Sequence, residues 1–229
     1  MRVVDLAETK VRELNAQLQA LSEHTNETLW RIEHPGGKHA LAVGLDAPVT
    51  VEIAGHAGYY CASMNKQATV VVAGNAGVGV AENMMSGVVH VKGDASQSAG
   101  ATAHGGLLII EGSASARCGI SMKGVDIVVK GSIGPMSAFM AQSGSLVVLG
   151  DAGDALGDSI YEARLYVKGE VKSLGADCIQ KEMREEHRTE LRRLLDAAGL
   201  NGAVSVDAFK RYGSARNLYN FHVDNASAY

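Results

Sequence analysis

The chain has 229 residues with 27 Gly, 3 Pro and 3 Cys, a formal net charge of −4 and only 5% aromatic residues. That is enough for one large domain, and so little proline argues against a disordered Pro/Gly tract. No long basic run marks a nucleic-acid or anionic membrane surface, no apolar run approaches a membrane span, and the charged N-terminus is unlike a signal peptide, so a cytoplasmic location is expected.

Residues 1–48 read as a separate lead-in. Asp5 to Ser22 predicts an amphipathic helix with Val11, Leu14, Leu18 and Leu21 on one face. A stripe this narrow packs on a neighbouring element or docks on another subunit. Trp30 is the single tryptophan, and His34-Pro35-Gly36-Gly37 reads as a turn. The expected role of the segment is to cap the repeat that begins at Val49, because an open solenoid end leaves strand edges and apolar interior in water.

Residues 49–173 are that repeat. The segments VTVEIAG, TVVVAG, VVHVKG, LLIIEG, DIVVKG, SLVVLG and RLYVKG close on Gly55, Gly74, Gly93, Gly112, Gly131, Gly150 and Gly169, with a constant step of 19 residues. Four places before these anchor glycines stand Val51, Val70, Val89, Leu108, Ile127, Leu146 and Leu165. Two before stand Ile53, Val72, Val91, Ile110, Val129, Val148 and Val167. The column one before is mixed. This is the period-two alternation of short strands with one buried face. The stretches between strands are small, polar and glycine-punctuated, which suits corners and not crossover helices. The predicted fold is all-β: a single-stranded, right-handed parallel β-helix of seven turns, about 34 Å long at roughly 4.8 Å per turn, flanked by N- and C-terminal α-helices.

One column departs from the alternation. Three places before the anchors, where side chains should face outward, stand Val71, Ile109, Val128 and Val147 beside Glu52, His90 and Tyr166. An outward aliphatic stripe over several turns needs a cover. Either the chain's own terminal helix supplies it, or this is a partner-facing stripe.

Residues 174–229 leave the repeat as a helical tail. Ile179 to Ala198 predicts a charged helix with Met183, His187, Leu191 and Leu194/Leu195 as its stripe, ended by Gly199. Asp207 is a candidate N-cap for a short helix through Tyr212, stopped by Gly213. The last stretch, with Tyr219, Phe221 and Tyr229, is aromatic-rich and is expected to be ordered against something.

No constellation of catalytic residues stands out. Gly74 to Gly79 does not match a dinucleotide loop, and the repeat already explains Gly74 and Gly77. Asp151, Asp154 and Asp158 lack the calcium-loop spacing and read as a solvated corner. A polysaccharide-cleaving groove would need paired carboxylates with aromatic platforms, which the coil lacks. The eight histidines form no metal-binding motif, although His90 and His104 could support a neighbouring site in a complex. Cys61, Cys118 and Cys178 are in no C-x-x-C pair and read as small buried thiols. Cys61 and Cys118 would sit three turns apart, about 14 Å, too far for a disulfide. Catalytic, cofactor-binding and metal residues are therefore all expected to be absent, which points to a scaffold or interaction subunit.

The seven 19-residue turns, with corners such as GNAGVGVAENMMSG and GSIGPMSAFMAQSG, resemble the GXGXG domain, the C-terminal β-helix of the glutamate synthase large subunit. The resemblance covers 49–173. The overall length and the tail FKRYGSARNLYNFHVDNASAY are similar to a stand-alone version of that domain, the middle subunit of the three-part enzyme N-methylglutamate synthase. The resemblance implies a non-catalytic bridge in a hetero-oligomer that converts methylamine and L-glutamate to N-methyl-L-glutamate and ammonia. An amidotransferase-like partner would carry an N-terminal cysteine, and an FMN-dependent synthase partner would carry FMN and an iron–sulfur cluster. This chain has neither an N-terminal cysteine nor a cysteine cluster, so no catalytic residue carries over. The same repeat occurs in one subunit of formylmethanofuran dehydrogenase and of the related formyltransferase/hydrolase complex, also as a scaffold. A free-standing structural β-helix is the third reading. It implies a stable species alone, whereas a subunit with a bare stripe implies poor solubility alone.

Overall fold

The structure is a computed structural model and describes residues 1–216. The repeat folds into a coil whose strands stack into one parallel sheet. Seven strands form its regular part: β3 (Thr50–Ile53), β4 (Thr69–Val72), β5 (Val88–Val91), β6 (Leu107–Ile110), β7 (Lys123–Val129), β8 (Ser143–Val148) and β9 (Arg164–Val167). Val51 pairs with Val70, Val70 with Val89, Val89 with Leu108, and so on to Leu165, always one repeat apart. Both predicted aliphatic columns are fully buried in the coil's interior. A second line of bridges runs through Ala57, Ala76, Ala95, Ala114, Ile133, Ala152 and Val171, so a parallel ladder also flanks the first bend.

The lead-in is more deeply part of the coil than its sequence suggests. β1 (Arg2–Asp5) and β2 (Leu29–Glu33) extend the same parallel sheet ahead of β3. The predicted helix is shorter, α1 (Val11–Gln19), because Asp5 ends a strand and not a cap. Leu14 and Leu18 of α1 and the fully buried Trp30 join the main core. The Asn15 side chain donates to the Ala40 carbonyl at 2.7 Å, and Gln19 donates to that of Val43 at 2.8 Å. These carbonyls belong to the first corner, which has no earlier turn to bond to. α1 therefore satisfies an end that would otherwise leave peptide groups unpaired.

The corners have a backbone pattern that residue type does not reveal. Five, seven and nine places after each of the first six anchors, the chain turns through left-handed φ. In the first turn these are Tyr60 (60°), Ala62 (55°) and Met64 (56°), and in the fifth Met136, Ala138 and Met140. Ala40, Ala42 and Gly44 repeat it before the first anchor, which makes the segment before residue 49 a further turn. Left-handed non-glycine residues cost roughly 1–2 kcal/mol each. Bonds to adjacent turns offset this: Tyr60 N–H reaches Val78 O at 2.8 Å, Ala62 N–H reaches back to Leu41 O at 2.9 Å, and Met64 N–H reaches Glu82 O at 2.8 Å. Alternate residues thus bond to alternate neighbours, and the strain is spread over the stack.

The C-terminal segment differs from its prediction. Residues Cys178–Lys181 form a strand, β10, and the helix α2 starts only at Glu185 and runs to Ala197. After Gly199 the chain makes a 3₁₀ turn at Val206–Ala208, N-capped by Ser205 and not by Asp207, and then a strand, β11 (Lys210–Ser214), in place of the expected short helix. β11 inserts antiparallel between β9 and β10. Pairing with these strands overrides the local helical preference of both segments. The aromatics Tyr219, Phe221 and Tyr229 lie outside the described residues.

The anchor glycines are explained by a polar column one place later. The amide of Asn75 donates to His56 Nδ1 at 2.9 Å, Asp94 to Asn75 Oδ1 at 3.0 Å, Ser113 to Asp94 Oδ1 at 2.7 Å, Ser132 to Ser113 Oγ at 3.1 Å, Asp151 to Ser132 Oγ at 2.9 Å and Glu170 to Asp151 Oδ1 at 2.8 Å. Each polar side chain occupies the space where a Cβ on the next anchor would sit: at Gly93, for example, that Cβ would lie under 3.0 Å from Asn75 Oδ1. Close approach, not positive φ, selects glycine at Gly74 through Gly169. Gly93→Ala is expected to destabilise by about 1–3 kcal/mol. Its cost should fall in the Asn75→Ala background, read as a non-zero coupling in a double-mutant unfolding cycle.

Candidate interaction surface

The outward stripe of the sequence divides in two. Ile109, Val128 and Val147 are buried, with Tyr166, beneath α2. Leu191, Leu194, Leu195 and Ala198 of α2, with Phe209 just before β11, pack on them as a second core outside the coil. Three members of the suggested partner-facing stripe are thus not a surface at all. The helix stripe Leu191/Leu194/Leu195 is complementary to them, and burying each aliphatic side chain contributes on the order of 1.5–3 kcal/mol. Val71, the fourth member, lies beyond α2 and is half-buried between Glu52 and His90 on the adjacent strands. Because the chain covers its own stripe, poor solubility alone no longer distinguishes a subunit from a free-standing protein.

A polar clasp fixes α2 in place. Glu190 accepts from Ser145 Oγ at 3.1 Å, from Arg164 Nη1 at 3.0 Å and from the Tyr166 hydroxyl. Arg193 pairs with Asp126 at 2.8 Å. Burial, reinforced by the Glu190 carboxylate, pushes the Tyr166 phenol well above its usual value, so it stays a donor. Beyond the helix, Glu111 binds His90 Nε2 at 2.6 Å and Lys130 Nζ at 2.7 Å, and Lys92 Nζ lies 3.2 Å from the same histidine nitrogen. Burial alone would raise the Glu111 pKa, but the bonds from Lys130 and His90 prevail and lower it.

The remaining sequence candidates have structural roles. Asp154 binds Lys172 Nζ at 2.7 Å and Ser173 Oγ at 3.2 Å, and Asp158 accepts from Ser159 Oγ at 2.8 Å. With Asp151 in the polar column, these carboxylates tie the sixth corner to the turn above it. They are not gathered around a common point. Cys61, Cys118 and Cys178 are buried and unpaired, and burial raises each thiol to about 12. A thiol held that high is inert as a nucleophile at neutral pH. Among the described residues no group of three or more His, Cys, Asp or Glu is placed to hold a metal ion, and no helix is long and apolar enough to cross a membrane.

Exposed apolar side chains lie elsewhere, several of them at the corners of the first turns. Tyr59, Tyr60, Met64 and Met85 are each 47–51% exposed. Tyr59 stacks on His39 with ring centroids 4.5 Å apart and meets Tyr60 edge-on at 6.5 Å. Sequence reading missed these side chains because they fall at several repeat phases. Sequence reading also missed the polar column after the anchors, although its signal is there as an unbroken run of His, Asn, Asp, Ser and Glu; only stacking gives it meaning.

Glu190→Ala strands the Tyr166 hydroxyl and should destabilise by about 1–3 kcal/mol, with hydrogen exchange in α2 rising before that in the coil. The Glu111 contribution carries the sign of a depressed carboxylate: it is present above the unfolded value of about 4.3 and lost as pH falls through the lower folded value. Wild type should therefore exceed Glu111→Gln in stability at neutral pH, and the two curves should converge below about pH 4 in acid-unfolding measurements.

No protein-family model matches the chain, and no solved structure matches it. A curated relative does: Protein GlxC of Rhizobium meliloti (strain 1021) is 62% identical over 229 residues, covering 100% of both chains. Identity at that level across the whole length carries the repeat, the lead-in and the tail together, and the chain belongs to the GlxC family.

Proposed function

We propose that this chain is the non-catalytic scaffold subunit of a glutamate-synthase-like complex, N-methylglutamate synthase. The complex would convert methylamine and L-glutamate to N-methyl-L-glutamate and ammonia. The observation that carries the reading is the seven-rung coil whose aliphatic columns pair one repeat apart from β3 to β9, with a single register shift at the start of β7, the architecture that the GXGXG resemblance implies. Its polar groups support the same view, since the ladder column and Asp154 and Asp158 serve turn-to-turn bonding. In this role the coil is a stiff spacer. It would hold an amidotransferase-like subunit and an FMN/iron–sulfur subunit in register and wall the route of an amine between them. The exposed side chains of Tyr59, Tyr60, Met64 and Met85 suit contact with such a subunit, because aromatic and methionine side chains are enriched at interface cores.

A second reading, a free-standing structural β-helix, is favoured by one observation: α2 of the chain itself covers Ile109, Val128 and Val147. Affinity purification from the native host separates the two. A yellow-brown flavin/iron–sulfur protein and an amidotransferase-like chain should co-purify, with methylamine-dependent ammonia release. Met85→Lys combined with Tyr59→Glu should reduce recovery of those partners while leaving the Tm within a few degrees of the parent. A colourless single species would overturn the scaffold reading.

A further inference from the structure

The strands that close the far end of the sheet carry an unfavourable charge pattern. Lys181 on β10 stands directly opposite Arg211 on β11, and Arg211 stands opposite Tyr166 on β9. Like charges facing each other across antiparallel strands are destabilising. Neither cation has a carboxylate within 4.0 Å among the described residues, whereas their neighbours Arg164 and Arg184 are paired with Glu190 and Glu182. The Arg211 Nε donates to the Glu182 carbonyl at 3.0 Å, which fixes the guanidinium without neutralising it. Burial, then Arg211 and Arg184, pull the Lys181 ammonium below its usual value. Burial does the same to Arg211, with Arg164 and Arg184 adding repulsion against the opposing pull of Glu186.

The next outward place along β11 is Gly213, opposite Ile179. With no side chain there, a cleft of about 30 Å³ opens, lined by Tyr161, Glu162, Arg164, Lys181, Arg211 and Ser214. A Cβ on Gly213 would project into ordinary contact distance of Lys181, 3.7 Å from its Cγ. The volume is that of about two water molecules, which suits one charged head group and no larger ligand. Glu162, at the exposed rim, is the single carboxylate in the lining.

We propose that this cleft binds a small oxyanion, a carboxylate or phosphate group, held between Arg211 and Lys181. The planar guanidinium supplies a fork that matches two oxygens of such a group, and the ammonium supplies a compact point charge. An anion there converts the like-charged pair from a cost into a bridge between β10 and β11.

The test uses the full-length chain in thermal unfolding, titrated with inorganic phosphate against sodium chloride of matched ionic strength. The expected result is a saturable rise in Tm, roughly 3 °C at about ten times the dissociation constant. Lys181→Gln and Arg211→Gln should each abolish it. Lys181→Gln also removes the like-charge pair, so in chloride alone it should unfold no lower than the parent, which separates lost binding from misfolding. In parallel, phosphate should move the amide resonances of Lys181, Arg211 and Gly213 before others. A phosphate response equal to that of matched chloride, or one that survives both substitutions, overturns the site.

Discussion

The structure depends on one constraint: every turn must present its backbone to the next turn in the same register. In a globular domain, distant segments share the work of satisfying peptide groups. Here the N–H and C=O groups of the coil look chiefly to the turn directly above or below. A one-residue slip in any turn would misplace the aliphatic columns, the alanine bridges and the polar column together. The fixed step of the sequence is the record of that demand.

The corners show how strictly it operates. Left-handed φ at Tyr60, Met64, Ser98, Arg117 and Met140 is intrinsically unfavourable, and these residue types have no special tolerance for it. They adopt it because the left-handed residues, two places apart, send their amides alternately to the turn above and the turn below. Bonding between turns pays for local strain, and the pattern persists even in the less regular turn before the first anchor. The anchors follow the same logic by another route. There the side chain of the preceding turn fills the space, and only the absence of a Cβ lets the ladder close.

This division explains what the sequence made legible. The columns ending at Gly55 to Gly169 were readable because burial and close approach act through residue type, and both leave a mark on composition. The strands of the lead-in were hidden because β1 and β2 depart from the repeat and are defined by what they stack on. Residues 178–181 and 210–214 look helical or neutral alone and become strands only by pairing with β9 and each other. The outward stripe was visible, while its cover was one of two possibilities until α2 was seen to carry the matching leucines. The His39/Tyr59 stack and the Lys181/Arg211 pair were not legible at all, since both are made by juxtaposition across turns or strands.

The order of the chain has a consequence for its synthesis. In the polar column each later turn donates its amide to a side chain already laid down in the turn before. The coil is therefore built so that the emerging end finds its template waiting, and it can lengthen turn by turn as residues leave the ribosome. Among the described residues β10, α2 and β11 emerge last, and α2, with Phe209, covers Ile109, Val128 and Val147. Until they arrive, the growing rod carries a bare aliphatic seam along its side. The interval between the sixth turn and the helix is thus the stage of biogenesis at which this protein is most exposed to capture by other nascent chains or by chaperones.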